Sequence, residues 1–143
     1  MYKRALVAVD GSEQSLKAVQ VAKEMFEKGA LEDLSLIYVV GYPQPIISGH
    51  GLNTVYQDLQ KDLLSEAKQI MDKTLVILGD TIKAKCITEI GLAAETIIKT
   101  AEKDQCDLII IGNRGLNQIQ RFILGSVSTK VISQAHCSVL VVK

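Results

Sequence analysis

An apolar run ending at Gly112, a second glycine at Gly115, and a third that opens Gly125-Ser126-Val127-Ser128 carry the chemistry-bearing spacing of this chain. Glycine at a strand end lets a ligand come up to the main chain, because no Cβ stands in the way, or permits a turn with positive φ. A helix opening at Gly125-Ser126 would present N–H groups without intrahelical partners, and its dipole favours an anion there. Phosphate oxygens match that need, with the Ser126 and Ser128 hydroxyls as further donors and Arg114 and Arg121 close enough in sequence to neutralise charge. Each piece alone is also ordinary structure, since Gly-Ser before a helix is an N-cap and a strand followed by glycine is a turn. The full pattern, Gly-x2-Gly-x9-Gly-Ser after an apolar run, points to a phosphate site. There is neither the Gly-x4-Gly-Lys-[Ser/Thr] spacing of a P-loop nor a Gly-x-Gly-x-x-Gly after the first strand, so ordinary kinases, GTPases and NAD enzymes lose support.

Asp10 ends another apolar run and is an acceptor at a strand end, while Ser12 is available as the N-cap of the helix that follows. That leaves the Asp10 carboxylate for sugar hydroxyls, or for Mg2+ held through water, although a lone carboxylate does not define a metal site. Few other residues invite a catalytic reading. His50 lies in a glycine-containing loop, where exposure is the usual state, and His136 beside Cys137 reads as a helix-terminal histidine favoured by the dipole. No carboxylate pair or serine triad converges, and no catalytic or metal residue is assigned. Cys86, Cys106 and Cys137 are odd in number and lack Cys-x-x-Cys spacing, which favours buried thiols over a disulfide framework or a zinc site.

The elements that must position these residues alternate along the chain. "RALVAV", residues 4–9, precedes a helix from Ser12 to Lys28 with Ala18, Val21, Ala22 and Met25 on one face and Gly29 at its cap. "LSLIYVV", residues 34–40, is a second strand, and the stretch after it reads as a loop because it collects both prolines and three glycines. A second helix follows, with Leu63, Ala67, Ile70 and Met71 inward and Gly79 near its end. "TIKAKCIT", residues 81–88, is a third strand, residues 92–103 form a helix burying Ala94, Ile97, Ile98 and Ala101, and "DLIIIG" is a fourth strand. A helix after Gly125 and the strand "SVLVV" complete five β units.

Such alternation predicts a doubly wound α/β domain, a five-stranded parallel sheet with helices on both faces. Lys83 and Lys85 on one face of the third strand place it at an edge, which favours order 3-2-1-4-5 over 2-1-3-4-5. Winding then reverses between the first and fourth strands, so Asp10 and Gly112 flank the expected ligand crevice. "SVLVV" falls at the other edge without the charges or prolines that blunt an exposed ladder, and the expected cover is the same strand of a second copy.

Composition bounds the partners. With 143 residues, 48% of them hydrophobic, residues 1–143 suit one domain with a sizeable core. Sixteen basic and sixteen acidic residues cancel, leaving no global field for a nucleic acid or an anionic membrane, and the absence of tryptophan with only four tyrosines and two phenylalanines weakens base stacking. The opening "MYKRALVAVD" has basic residues, but its apolar run stops at Asp10 without a cleavage site, and nothing else is long enough to span a bilayer; the expectation is a cytoplasmic protein.

Gly112-Asn113-Arg114-Gly115, nine residues, then Gly125-Ser126 resembles the ATP-binding motif of the universal stress protein family. "RALVAVDGSEQS" is similar to that family's opening strand with its aspartate, and "GSVSTKVISQAHCSVLVVK" to its closing helix and strand, so the resemblance covers essentially the whole chain and is weakest from about 41 to 64. It implies the adenine nucleotide alpha hydrolase-like fold, with the same 3-2-1-4-5 sheet, usually as a homodimer joined at its last strands. It also implies adenine and ribose contacts from Ala8, Asp10 and Val39, and contacts to the remainder of ATP from Ile111, Gly112, Gly115, Gly125, Ser126, Val127 and Ser128. Ala8 departs from the proline of some ATP-binding members.

Three functions follow as expectations. The first is an ATP-binding stress or regulatory module, a homodimer whose nucleotide occupancy is read by a protein partner. The alternatives are a slow Mg2+-dependent ATPase using the same pocket and a nucleotide-free dimeric scaffold. A phosphoacceptor receiver domain fits less well, because Thr88-Glu89 stands where its aspartate would be.

Overall fold

Residues 4–9 and 107–112 are apolar without interruption for most of their length, and strands of that kind need cover on both faces. The computed structural model describes residues 1–42, 52–114 and 124–143, with side chains from residue 55 onward in the second helix. Its elements run β1 (Tyr2–Ala8), α1 (Glu13–Glu27), β2 (Leu31–Val40), α2 (Leu52–Leu78), β3 (Lys85–Ile90), α3 (Ala93–Lys103), β4 (Leu108–Gly112), α4 (Ser126–Gln134) and β5 (Ser138–Val142). The five strands form one sheet in the order β3-β2-β1-β4-β5, and every pairing is parallel. Fold class and strand order are as expected from the sequence.

Alternation along the central strands divides the core in two. Val7, Leu36, Leu108 and Ile110 pack with Ala18, Val19 and Ala22 of α1 and Met71 and Leu78 of α2. Leu6, Ile37, Ile109 and Ile111 pack on the opposite face with Ala94, Ile97, Ile98 and Ala101 of α3 and Val131 of α4. The α3 stripe is the one expected. In α1 the buried stripe is Ser15, Ala18, Val19 and Ala22, so Val19 takes the place expected for Val21. In α2 Ala67, Met71, Thr74 and Leu78 are buried, whereas Leu63 and Ile70 are only partly covered.

Two strand boundaries differ from expectation. β2 begins at Leu31, because Tyr2 of β1 already pairs with it and the register continues with Arg4 opposite Asp33, joined by an ion pair at 3.7 Å. β3 begins at Lys85 and not at Thr81, so Lys83 precedes the strand; Ile82 is buried in the core as the chain approaches the sheet. Lys85 alone therefore carries the edge signal within β3, and it is exposed. Val40 lies opposite Ile90, and the Gly91 N–H donates to the Val40 carbonyl at 2.9 Å.

Candidate nucleotide crevice

The chain leaves β1 through Asp10-Gly11-Ser12. Gly11 has φ +82°, a left-handed conformation that glycine adopts without strain. Asp10 Oδ1 accepts the Ser12 N–H at 2.8 Å, and Ser12 Oγ accepts the Ser15 N–H at 3.2 Å as the N-cap of α1. The turn therefore orients the Asp10 carboxylate through one oxygen, while the capping itself belongs to Ser12. Tyr38 feels that carboxylate: burial first, then the charges of Glu66 and Asp10, push its phenol up.

At the end of β4, glycine is required for a reason different from the one expected. A Cβ on Gly112 would lie 2.8 Å from the carbonyl carbon and from the Cβ of Gln14, so the strand end touches the first turn of α1. Gly112 is not among the positive-φ residues, and close backbone packing accounts for it.

After β4 the Asn113 N–H donates to the Val142 carbonyl at 2.8 Å, and the Asn113 carbonyl accepts the Gly125 N–H at 2.6 Å. Gly125 is the N-cap of α4, in an extended conformation and without a side-chain cap bond; its carbonyl receives the first intrahelical bond, from Thr129, at 3.0 Å. The N–H groups of Ser126, Val127 and Ser128 precede that bond and have no partner within the helix. The Ser128 hydroxyl, expected as a phosphate donor, is directed elsewhere: it is buried, and its single O–H is shared between the carbonyls of Asn113 at 2.9 Å and Gly125 at 3.0 Å. Its role is to hold the α4 start against the β4 end, and of the two serine hydroxyls only that of exposed Ser126 is left for a ligand.

These ends border one cavity of about 330 Å3, lined by Ala8, Asp10, Val39, Ile111, Gly112, Gly125, Ser126, Val127 and Ser128. Nine of the ten expected site residues thus meet there; the tenth, Gly115, lies outside the described residues, as do Arg121 and His50. Val9, Ser12, Ser15, Ile37, Ala93, Ile97 and Arg114 also line it. Ile37 could have been found from its spacing of two to Val39 on the same strand face, and Ala93 and Ile97 from their i, i+4 spacing on α3. Arg114, named from sequence as a charge neutraliser, reaches the cavity, and its buried Nε has no partner among the described residues. The lining grades from apolar side chains of β1, β2 and α3 to the amide-rich start of α4. Lys130 ties α4 to Glu95 of α3 at 2.8 Å, and this hydrogen bond, with the lysine charge, holds the Glu95 carboxyl below its ordinary value.

Away from the crevice, His136 follows the C-cap of α4 and pairs with Glu102 of α3 at 3.0 Å, so it sits just past the helix end. Cys106 is buried and Cys137 partly so, but Cys86 is exposed on β3, contrary to the expectation of buried thiols. Among the described residues no helix is long and apolar enough to cross a membrane.

Comparison with known proteins agrees with this architecture. A universal stress protein of Thermus aquaticus is 32% identical, covering 100% of both chains. Among solved structures, universal stress protein UspA from Lactobacillus plantarum superposes with a TM-score of 0.86 at 26% identity, covering 99% of this chain and 98% of that one. Protein MJ0577 of Methanocaldococcus jannaschii gives 0.84 at 32% identity, over 100% and 96%. The profile of the universal stress protein family matches residues 1–143, and the chain belongs to that family.

Proposed function

We propose that this chain binds ATP in the crevice between β1 and β4, and that nucleotide occupancy of a homodimer is read by a protein partner in the cytoplasm. The observation that carries the reading is the graded cavity at the reversal of sheet winding. One end offers Ala8, Ile37 and Val39 for a purine, and the other offers the unpartnered N–H groups of α4 with Arg114. Asp10, oriented by Ser12, lies on the same lining to accept ribose hydroxyls. Universal stress proteins solved with cAMP and with dAMP share the fold at 22% identity.

A Mg2+ accompanying the phosphates would find Asp10 as the one carboxylate among the described lining residues. A turnover assay with Mg-ATP separates the slow ATPase from the binding module. An acid extract of freshly purified protein tests the reading, together with melting in Mg-ATP, where ligand at 100 times its Kd adds about 2.7 kcal/mol. Adenine nucleotide in the extract and a raised Tm support it. No nucleotide and no shift at millimolar Mg-ATP would leave the nucleotide-free scaffold.

A further inference from the structure

A second, smaller cavity of about 130 Å3 lies on the α3 and α4 face, away from the crevice, and two thiols share it: Cys106 and Cys137, with Ile98, Ala101 and Ala135 around them. Cys106 precedes β4 and Cys137 precedes β5. These strands are adjacent, with Leu108 opposite Ser138 and the Ser138 N–H donating to the Asp107 carbonyl at 3.3 Å. The register extends to Asp107 opposite Cys137, so Cys106 is the diagonal neighbour of Cys137. A strand spacing of about 4.8 Å and a rise of about 3.3 Å per residue put such neighbours about 6 Å apart between Cα atoms, inside the range of about 4.4–6.8 Å that a disulfide spans. Both thiols face the same apolar cluster, and both are free in the structure.

We propose that Cys106 and Cys137 are a reversible oxidation site, closing to an intramolecular disulfide when a hydroperoxide supplies the oxidising equivalents. Cys137, the less buried of the two, reacts first. Its thiolate attacks the peroxide, an S–O bond forms as the O–O bond breaks, and hydroxide (or the alkoxide of an organic peroxide) leaves. Cys106 then attacks the sulfenyl sulfur, the S–S bond forms as the S–O bond breaks, and the hydroxyl departs as water with the Cys106 proton. The two sulfurs together lose two electrons and the peroxide gains them.

Burial pushes both thiols up, Cys106 to about 11, with Asp104, Asp107 and Cys137 adding to burial at Cys106 against Arg4, and Asp107 and Glu102 adding at Cys137 against a backbone hydrogen bond. His136, paired with Glu102, also borders the cavity. Burial keeps the thiolate fraction small at neutral pH, so the first step is slow there and speeds up as pH rises. The bond would tie the turn before β4 to the turn before β5. Cys86, on β3 at the far edge of the sheet, is too remote to take part.

The test uses full-length Cys86→Ser protein treated with hydrogen peroxide, then denatured, alkylated with iodoacetamide and weighed intact. The expected product has lost the mass of two hydrogens, takes up no alkyl group and has a raised Tm, and dithiothreitol restores uptake of two. Cys106→Ser and Cys137→Ser in the same background should never lose two hydrogens within one chain. Two alkyl groups after peroxide treatment, sulfinic acid on either thiol in place of the bond, or disulfide found only between chains would each overturn the proposal. Circular dichroism of the starting protein ensures that the thiols are presented by the fold.

Discussion

Gly112 has a packing reason to be glycine that its local sequence does not show. Its position after an apolar strand marks a place where a Cβ is not tolerated, but the partner, the Gln14 backbone, sits on α1, which no local pattern connects to β4. Gly112→Ala should therefore lower stability by about 1–3 kcal/mol through overpacking, read as a drop in urea midpoint without ligand. An unchanged midpoint would return the glycine to a purely ligand-facing role. Ser128 makes a similar point, because sequence shows a hydroxyl beside a helix start but not the two carbonyls that take its proton. Asp107 was not singled out from sequence at all. Burial acts to raise its carboxyl, yet the N–H groups of Lys3 and Arg4, each at 2.9 Å, bring it below its ordinary value. A carboxyl depressed on folding contributes stability in full above its unfolded pKa of about 3.9 and loses it as pH falls through the lower folded value. Asp107→Asn should thus cost about 1 kcal/mol at neutral pH. Acid titration of its Tm should fall less steeply below about pH 4 than that of the parent.

Elements were legible where one period dominates a segment. α3 carries an uninterrupted apolar stripe, and its buried residues follow directly from i, i+3, i+4 spacing. The bounds of β3 were not legible, because "TIKAKCIT" alternates well before the residues that pair with β2, and pairing, not alternation, decides where a strand starts. The start of α4 is the element on which the functional reading depends. An acidic residue in the first turn of a helix is stabilising by about 0.3–1 kcal/mol. The same charge about 4 Å from a phosphate is repelled by about 4 kcal/mol at an effective dielectric constant of 20. Ser126→Asp should accordingly raise Tm slightly while weakening ATP binding at least tenfold, two effects of opposite sign. A parallel loss of stability and affinity would point to local unfolding, and unchanged affinity would remove the phosphate from this helix end.

At the scale of the whole molecule, β5 occupies a sheet edge with Val139, Leu140, Val141 and Val142 half-buried and its outer ladder uncovered among the described residues. The Ser138 N–H bonds inward to the Asp107 carbonyl, so by alternation the N–H of Leu140 also faces β4 and those of Val139 and Val141 face outward. A blocking proline belongs where the N–H points outward, and of Val139 and Leu140 the hydrogen-bond pattern selects Val139. If β5 joins two copies as proposed, Val139→Pro removes an outward donor and should give a folded monomer in sedimentation, whereas a parent that is already monomeric at micromolar concentration contradicts the proposed homodimer. The central quantity is the affinity of the folded chain for adenine nucleotide. Calorimetric titration of purified, nucleotide-stripped protein with ATP, repeated with GTP, measures it most directly. The expected result is one ATP per chain, with GTP weaker because an apolar lining of Ala8, Ile37 and Val39 leaves the more polar edge of guanine without partners. Absence of ATP binding at millimolar concentration, or equal affinity for the two triphosphates, would contradict the assignment of this crevice to adenine nucleotide.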